Sequence, residues 1–331
     1  MSLSFKSETA EYYSAENVMK KNKYLKVLLI ISVAVNIILA ALFISPQVAK
    51  FRKGRFNLSG QKEIAQNNTT VKDNLFDEIN PEAGYEINAK YGNLGPKMTA
   101  MGVIDPEKFK SVYEKSNQPL TPEQEQILIK GSDEKIKITG DNSYFLLNFF
   151  WAVGLSNKSK ILDEGDMMKY KGKEGAGNFA STGGWTLAKG DAMNYYSRSA
   201  IISLTKEQEE LVDLVASNIF RPCCNNSTAF PDCNHGMALL GVLQLMASSG
   251  AKESQMYEAG KYFNAFWFPG NYYDLALFFK NSEGKSFKDI DAKTLLSKNY
   301  SSASGWQSVK QWLADKGLIQ QPPKQGGGCG I

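Results

Sequence analysis

Three of the four cysteines in this 331-residue chain, and its only histidine, fall within one short segment. The segment contains Cys223, Cys224, Cys233 and His235. Thiolate and imidazole groups are the ligands that zinc and cuprous copper prefer, so this spacing predicts a metal site of the Cys3His type. Asp232 precedes Cys233 and is a candidate additional ligand, or a group that holds a ligand in place.

Two other chemistries fit the same residues. In the first, a cysteine pair cycles between dithiol and disulfide, and a third cysteine resolves the intermediate. In the second, oxidising surroundings join Cys233 to Cys223 or Cys224 as a structural disulfide, and His235 merely begins a helix. The spacing Cys-Cys-x8-Cys-x-His differs from the paired Cys-x2-Cys of zinc fingers. The metal, redox and structural interpretations therefore all stay open.

The fourth cysteine, Cys329, follows three glycines near the end of the chain. Glycine-rich segments behave as flexible arms, so residues 319–331 are predicted to form a flexible tail. The thiol of Cys329 could complete a metal shell or resolve a disulfide, which makes Cys329 a second candidate additional ligand. The alternative is an incidental cysteine in a frayed tail.

Two predicted helices hold the Cys/His segment between them. Thr205 and Gln208 form a capping box, and Pro222 limits the helix that follows to about Phe220. A second helix is predicted from about Asn234 until the stop at Gly250.

The second helix begins beside the candidate ligands, with Asp232 or Asn234 as its predicted cap. Cys233 and His235 then lie at the positive end of the helix dipole. That position favours the thiolate and the neutral imidazole, which are the forms that coordinate a metal.

Composition and periodicity predict a mainly α fold, a helical bundle domain over residues 96–318. Hydrophobic residues make up 43% of the chain and charged residues 22%, as in globular proteins. Thr121 and Gln124 repeat the capping-box pattern. The apolar run over residues 144–155 is too short to span a bilayer, so it predicts a buried core helix. The net charge of +4 is small and lies largely beside an apolar segment, so no nucleic-acid partner is expected.

That apolar segment, Val27–Ile44, contains no charged residue and is long enough to cross a bilayer with its flanks. It predicts an N-terminal tail over residues 1–26, a single transmembrane helix over 27–45 and a linker over 46–95. A cleaved signal peptide is the alternative, but the run exceeds the usual apolar length and no small-x-small cleavage site follows.

Lysines and arginines flank the predicted span on both sides, so the charge rule alone does not orient it. The short tail before the span and the long domain after it favour a signal-anchor at the cell membrane, with an extracytoplasmic C-terminal domain. A protein partner at the membrane fits this arrangement. The oligomeric state is not predicted.

The segment Arg221-Pro-Cys223-Cys224, the helix after it and the stretch Gly250–Met256 with Tyr262 resemble a known helical hairpin. It is that of the extracytoplasmic thiol subunit of cytochrome c maturation, in the heme-lyase-associated family. The resemblance covers about residues 221–262. It implies thiol–disulfide exchange at a membrane surface, with Cys223 and Cys224 as the reactive pair. In the family, two residues separate the cysteines, whereas these two are adjacent.

The sequence therefore predicts a membrane-anchored extracytoplasmic protein that binds copper or zinc through Cys223, Cys224, Cys233 and His235. The alternatives are a thiol–disulfide exchange protein and a disulfide-stapled structural or partner-binding module. No catalytic residues are assigned, because a serine–histidine–carboxylate set would need the one histidine that is already placed in the cluster.

Overall fold

The computed structural model describes residues 75–170 and 172–319. The predicted transmembrane helix over residues 27–45 and the tail that carries Cys329 lie outside this part of the chain. Within the described residues, no helix has both the length and the apolar character needed to cross a membrane.

A two-stranded antiparallel sheet lies near the start of the described chain. Strand β1 (Tyr85–Gly92) pairs with strand β2 (Ser132–Ile138), so that Tyr85 faces Ile138 and Gly92 faces Ser132. Side chains on β1 alternate between solvent and core, as expected for a half-buried strand. The core-facing residues are Ile87, Ala89 and Tyr91.

The prediction of a linker over residues 46–95 is wrong in its last part. A helical segment over residues 75–79 buries Leu75 and Ile79, and β1 follows it within the folded core. The alternation of apolar and polar residues in β1 spans only a few positions, and polar residues surround it. The strand is therefore not apparent from helical periodicity.

The prediction of a mainly α fold is confirmed, since helices make up most of the described chain. The helices up to the Cys/His segment are α1 (Leu94–Met101), α2 (Pro106–Lys115), α3 (Pro122–Ile129), α4 (Ser143–Ser156), α5 (Lys160–Glu164), α6 (Gly172–Ala176) and α7 (Lys206–Asn218). Those after it are α8 (Asn234–Ser248), α9 (Glu253–Trp267), α10 (Pro269–Glu283), α11 (Ala292–Leu295), α12 (Lys298–Ser301) and α13 (Ala303–Asp315). Short 3-10 turns lie at Asp166–Lys169, Ala192–Asn194 and Phe287–Asp289.

Both predicted capping boxes are present. The Gln124 backbone N–H donates to the Thr121 hydroxyl at 3.2 Å, and the Gln208 N–H donates to the Thr205 hydroxyl at 3.3 Å. Each glutamine side chain accepts in return from the backbone N–H of its threonine. These local bonds satisfy N–H groups that a helix start otherwise leaves unpaired, and they fix where α3 and α7 begin.

Helices α4 and α8 form the centre of the core. Every residue of α4 from Phe145 to Ser156 is buried, and so is every residue of α8 from His235 to Ala247. The two helices approach closely at glycines: a Cβ on Gly154 would lie 2.0 Å from the Met237 carbonyl oxygen. This crossing fixes the first turn of α8, where the candidate ligands lie.

The Gly154→Ala variant is expected to lower the free energy of unfolding by about 3 kcal/mol, because the added methyl forces α4 and α8 apart. Gly140→Ala is a matched control, since a Cβ on Gly140 would meet nothing within 4 Å. Its effect should stay within about 0.5 kcal/mol. Denaturant unfolding of both variants measures the difference, and equal midpoints would contradict the close contact.

Candidate metal centre

The Cys/His segment is a hairpin whose base is fixed to three helices. An antiparallel bridge joins Phe220 to Ser227, and the Thr228 N–H donates to the Ile219 carbonyl at 2.8 Å. From α9, the Asn264 side-chain amide donates to the Phe220 carbonyl at 3.0 Å. The Phe220 N–H donates to the carbonyl of Leu296 at 2.8 Å, just after α11. The loop thus stands on a rigid support, as binding loops generally do.

Cys233 itself caps α8. The Gly236 backbone N–H donates to the Cys233 sulfur at 3.4 Å, and Cys233 has the extended backbone of an N-cap residue. The prediction that Asp232 or Asn234 caps this helix is therefore wrong. A sulfur can take this place because the helix start offers unpaired N–H groups to any acceptor, and a thiolate is a charged one.

The hairpin brings the predicted ligands into two groups that share Cys233. The ligand atoms of Cys223, Cys233 and His235 all lie within 4.8 Å of one another, as do those of Cys224, Asp232 and Cys233. The Cys223 and Cys233 sulfurs are 3.5 Å apart. None of these three cysteines forms a disulfide bond. The cluster can therefore hold a metal ion.

His235 lies in an aromatic corner at the end of α9. It is only 4% exposed, and its ring centre stands 4.3 Å from that of Phe268 and 5.8 Å from that of Trp267. These rings limit the rotation of the imidazole. A ring nitrogen of His235 lies within 4.8 Å of the Cys223 and Cys233 sulfurs, so the imidazole already faces the sulfur cluster.

Arg221 lies beneath the cluster, and the sequence alone does not predict this role. Its side chain is fully buried, and Nε donates to the Cys233 sulfur at 2.9 Å. Nη2 donates to Asp232 Oδ1 at 2.7 Å. Nη1 donates to the Asn226 carbonyl oxygen at 3.1 Å, and Nη2 also donates to the Phe230 carbonyl oxygen at 3.2 Å. An arginine just before the Pro-Cys-Cys turn is a visible signal, but its partners lie up to twelve residues away.

Asp232 orients Arg221 and the hairpin. Its second carboxylate oxygen accepts from the Asn226 side-chain amide at 2.8 Å, and its backbone carbonyl accepts from the Ser181 N–H at 3.3 Å. Ser181 belongs to the glycine-rich loop before Trp185, a buried residue whose indole N–H donates to the Val103 carbonyl at 2.7 Å. The glycine-rich loop thus supports the hairpin from the side.

The three thiols differ in the direction in which their pKa values are shifted. Hydrogen bonds from Cys223 and Cys224, and then the charge of Arg221, hold the pKa of Cys233 well below its ordinary value, although burial opposes this. Hydrogen bonds to Cys224 and Cys233 raise the pKa of Cys223. A hydrogen bond with Cys223 lowers the pKa of Cys224. The hydrogen bond with Cys233 and the burial of Cys224 together have the larger, opposite effect, so the pKa of Cys224 is raised to about 11. Cys233 is thus the most acidic of the three thiols, since its pKa is lowered and those of Cys223 and Cys224 are raised.

The folded chain is expected to show ultraviolet thiolate absorbance from one cysteine at neutral pH. Because the folded pKa of Cys233 is lowered, its thiolate stabilises the fold above the ordinary pKa of 9.0, and this stabilisation is lost as pH falls through the folded value. The unfolded chain is the control, and its thiolate band should appear only as pH rises through about 9.0. The Cys224→Ser variant should keep the band. A native chain without thiolate absorbance at neutral pH would contradict the charge on Cys233.

The chain was compared with protein-family models, with curated proteins and with solved structures, and none of the three comparisons gives a match. The interpretation of the cluster therefore rests on its geometry.

Proposed function

We propose that this protein binds a soft transition-metal ion, cuprous copper or zinc, through Cys223, Cys233 and His235. The observation that carries the proposal is the convergence of these three ligand atoms within 4.8 Å of one another. Two thiolates on one zinc ion, each at about 2.3 Å, stand about 3.8 Å apart. The 3.5 Å between the Cys223 and Cys233 sulfurs is close to that separation.

Cys224 is the donor that would complete the four-ligand shell that zinc prefers. The Cys224 sulfur lies within 4.8 Å of the Cys233 sulfur, and it lies 3.9 Å from Asp232 Oδ1. Asp232 is already bound to Arg221 and Asn226, so its role in the proposal is to position Arg221 rather than to bind the ion.

Arg221 prepares the site for a cation because its charge adds to the hydrogen bonds that lower the pKa of Cys233. A ligand must lose its proton before it binds a metal, and a thiol that is already a thiolate spares that step. The buried guanidinium also offsets the negative charge that two or three thiolates bring into a region of low dielectric. Cys223 is exposed, so an ion would reach the site through Cys223 and then contact Cys233.

The proposed setting is the outer face of a membrane, to which the chain is anchored by residues 27–45. The charge-free run Val27–Ile44 supports this part of the proposal. The full chain is expected to stay in the membrane pellet after an alkaline carbonate wash. A Val35→Arg/Ile37→Arg variant should be released, since each arginine costs about 2.5–3.5 kcal/mol in the centre of a span. Release of the unaltered chain would contradict the anchor.

A second candidate function is thiol–disulfide exchange, which also follows from the resemblance to the cytochrome c maturation subunit. The observation that favours it is the distance of 3.5 Å between the Cys223 and Cys233 sulfurs, together with the lowered pKa of Cys233. However, an exchange protein needs its thiolate where a substrate disulfide can reach it. Here the exposed cysteine is Cys223, whose pKa is raised. Cys233 is less exposed, and its sulfur accepts a hydrogen bond from the buried Arg221. Metal binding is therefore the preferred function.

Anaerobic competition against a chromophoric chelator tests the proposal on the detergent-solubilised full chain, with cuprous copper and zinc in separate titrations. A dissociation constant below about 10 nM for either ion is expected, as for other thiolate-rich sites. The proposal would be overturned if the chain, with its thiols reduced, took neither ion from the chelator. A reversible Cys223–Cys233 disulfide within the physiological potential range would favour exchange, and a disulfide that resists reduction would favour a structural staple.

A further inference from the structure

The candidate ligands of the Cys/His hairpin form two sets of three rather than one set of four. In each set, the ligand atoms lie within 4.8 Å of one another. The first set is Cys223, Cys233 and His235, and the second is Cys224, Asp232 and Cys233. Cys233 is the one residue that the two sets share. This arrangement suits two ions with few ligands each better than one ion with four.

Cuprous copper suits ligand sets of this size. It is a soft ion that selects thiolate sulfur and also binds imidazole nitrogen, whereas zinc prefers four ligands in a tetrahedron. The first set offers an ion two sulfurs, which are 3.5 Å apart, and one ring nitrogen. The His235 ring is held against the ring of Phe268, with 4.3 Å between their centres. The first set is thus a three-ligand site whose nitrogen donor is already in place.

The second set offers an ion two sulfurs. Asp232 already accepts hydrogen bonds from Arg221 and Asn226. The sulfurs of Cys224 and Cys233 therefore remain as the donors. Two metal–sulfur bonds of about 2.3 Å that lie in line span about 4.6 Å. The two sulfurs lie within 4.8 Å of each other, so an ion fits between them.

The fold itself holds Cys224 beside the shared sulfur. The Cys224 N–H donates to the Arg221 carbonyl at 3.3 Å, and the Cys224 carbonyl accepts from the Ala303 N–H at 2.8 Å, where α13 begins. The next residue is also tied to α13, because Asn225 Oδ1 accepts from the Ser304 N–H at 2.9 Å. The Cys224 side chain is only partly buried, so an ion can reach its sulfur from solvent.

A second cuprous ion adds no net charge to the site. The ion replaces the proton of Cys224, so its single positive charge offsets the negative charge of the new thiolate. Unbalanced charge is costly in a partly buried region. The shared sulfur also accepts a hydrogen bond from the buried guanidinium of Arg221 at 2.9 Å, which offsets the charge of the third thiolate.

We propose that the Cys233 sulfur bridges two cuprous ions, an inference that rests on the metal-binding function proposed above. One ion is bound by Cys223, Cys233 and His235. The other is bound by Cys224 and Cys233. Each ion displaces the proton of the thiol that it binds, no electron is transferred, and both ions stay cuprous.

Anaerobic titration of the detergent-solubilised full chain with cuprous copper, against a chromophoric chelator, counts the ions that the chain takes up. Two ions per chain are expected. One ion per chain would overturn the bridge and leave the proposed metal site intact, whereas no ion would overturn both. X-ray absorption of the loaded chain should show a copper neighbour within about 4 Å of each copper. Two ions without that neighbour would contradict the shared sulfur.

Two variants locate the second ion. Cys224→Ser is expected to take up one ion instead of two and to lose the copper–copper signal, because it removes one of the two sulfurs of the second set. The ion that remains should bind within about tenfold of its affinity in the unaltered chain, which shows that the hairpin is still folded. Cys329→Ser removes the one cysteine outside the hairpin and should keep both ions. Two ions in Cys224→Ser, or one in Cys329→Ser, would overturn the assignment.

Discussion

The Cys233→Ser variant is expected to bind cuprous copper or zinc at least about 100-fold more weakly than the unaltered chain. Cys233 belongs to both ligand groups of the cluster, and its pKa is the one that is lowered. Loss of groups that only orient a ligand reduces metal affinity by about 10–100-fold, so loss of a direct thiolate ligand should cost more. The chelator competition described above gives the measurement.

In the cuprous copper titration, Cys224→Ser is the matched control, because it removes a neighbouring thiol that does not belong to the group containing His235. It is not a control for zinc, since Cys224 is the proposed fourth zinc ligand. Its affinity for cuprous copper should stay within about tenfold of the unaltered chain. His235→Ala should resemble Cys233→Ser instead. Equal affinities of Cys233→Ser and the unaltered chain would show that the ion is held elsewhere.

The Arg221→Met variant is expected to lower the free energy of unfolding by about 3–5 kcal/mol. The substitution leaves the Asp232 carboxylate and the Cys233 thiolate without the buried cation that pairs with both. Breaking one side of a buried ion pair carries a cost of this size because the remaining charge is uncompensated. The hairpin also has little room to rearrange, since a Cβ on Gly236 would lie 2.5 Å from the Arg221 guanidinium carbon.

Denaturant unfolding measures this effect, with Arg198→Met as the control at an exposed arginine. The control should change stability by no more than about 0.5 kcal/mol. Adding Asp232→Asn to Arg221→Met should recover part of the loss, because the unpaired carboxylate is then neutral. A loss in Arg221→Met no larger than in the control would show that the buried ion pair does not hold the hairpin.

Features fixed by local chemistry could be predicted from the sequence. The starts of α3 and α7 follow from the capping boxes at Thr121 and Thr205, which need contacts only three residues apart. The end of α8 follows from Gly250, whose positive φ of 80° follows the last helical residues. The position of the Cys/His hairpin between two helices follows from the same signals.

Features that depend on distant partners could not be predicted. Arg221 gains its role from acceptors on the far side of the hairpin, and nothing in its immediate neighbours marks it as buried. The pairing of β1 with β2 joins segments that three helices separate. The contact of Gly154 with α8 becomes visible only when the helices are packed.

The most direct test of the metal site is X-ray absorption at the edge of the bound ion in the anaerobically purified full chain. The geometry predicts a shell with at least two sulfurs and one imidazole nitrogen, at about 2.3 Å and 2.0 Å when the ion is zinc. His235→Ala should remove the imidazole signal and keep the sulfur signal. A shell of oxygen and nitrogen without sulfur would contradict the assignment of Cys223 and Cys233 as ligands.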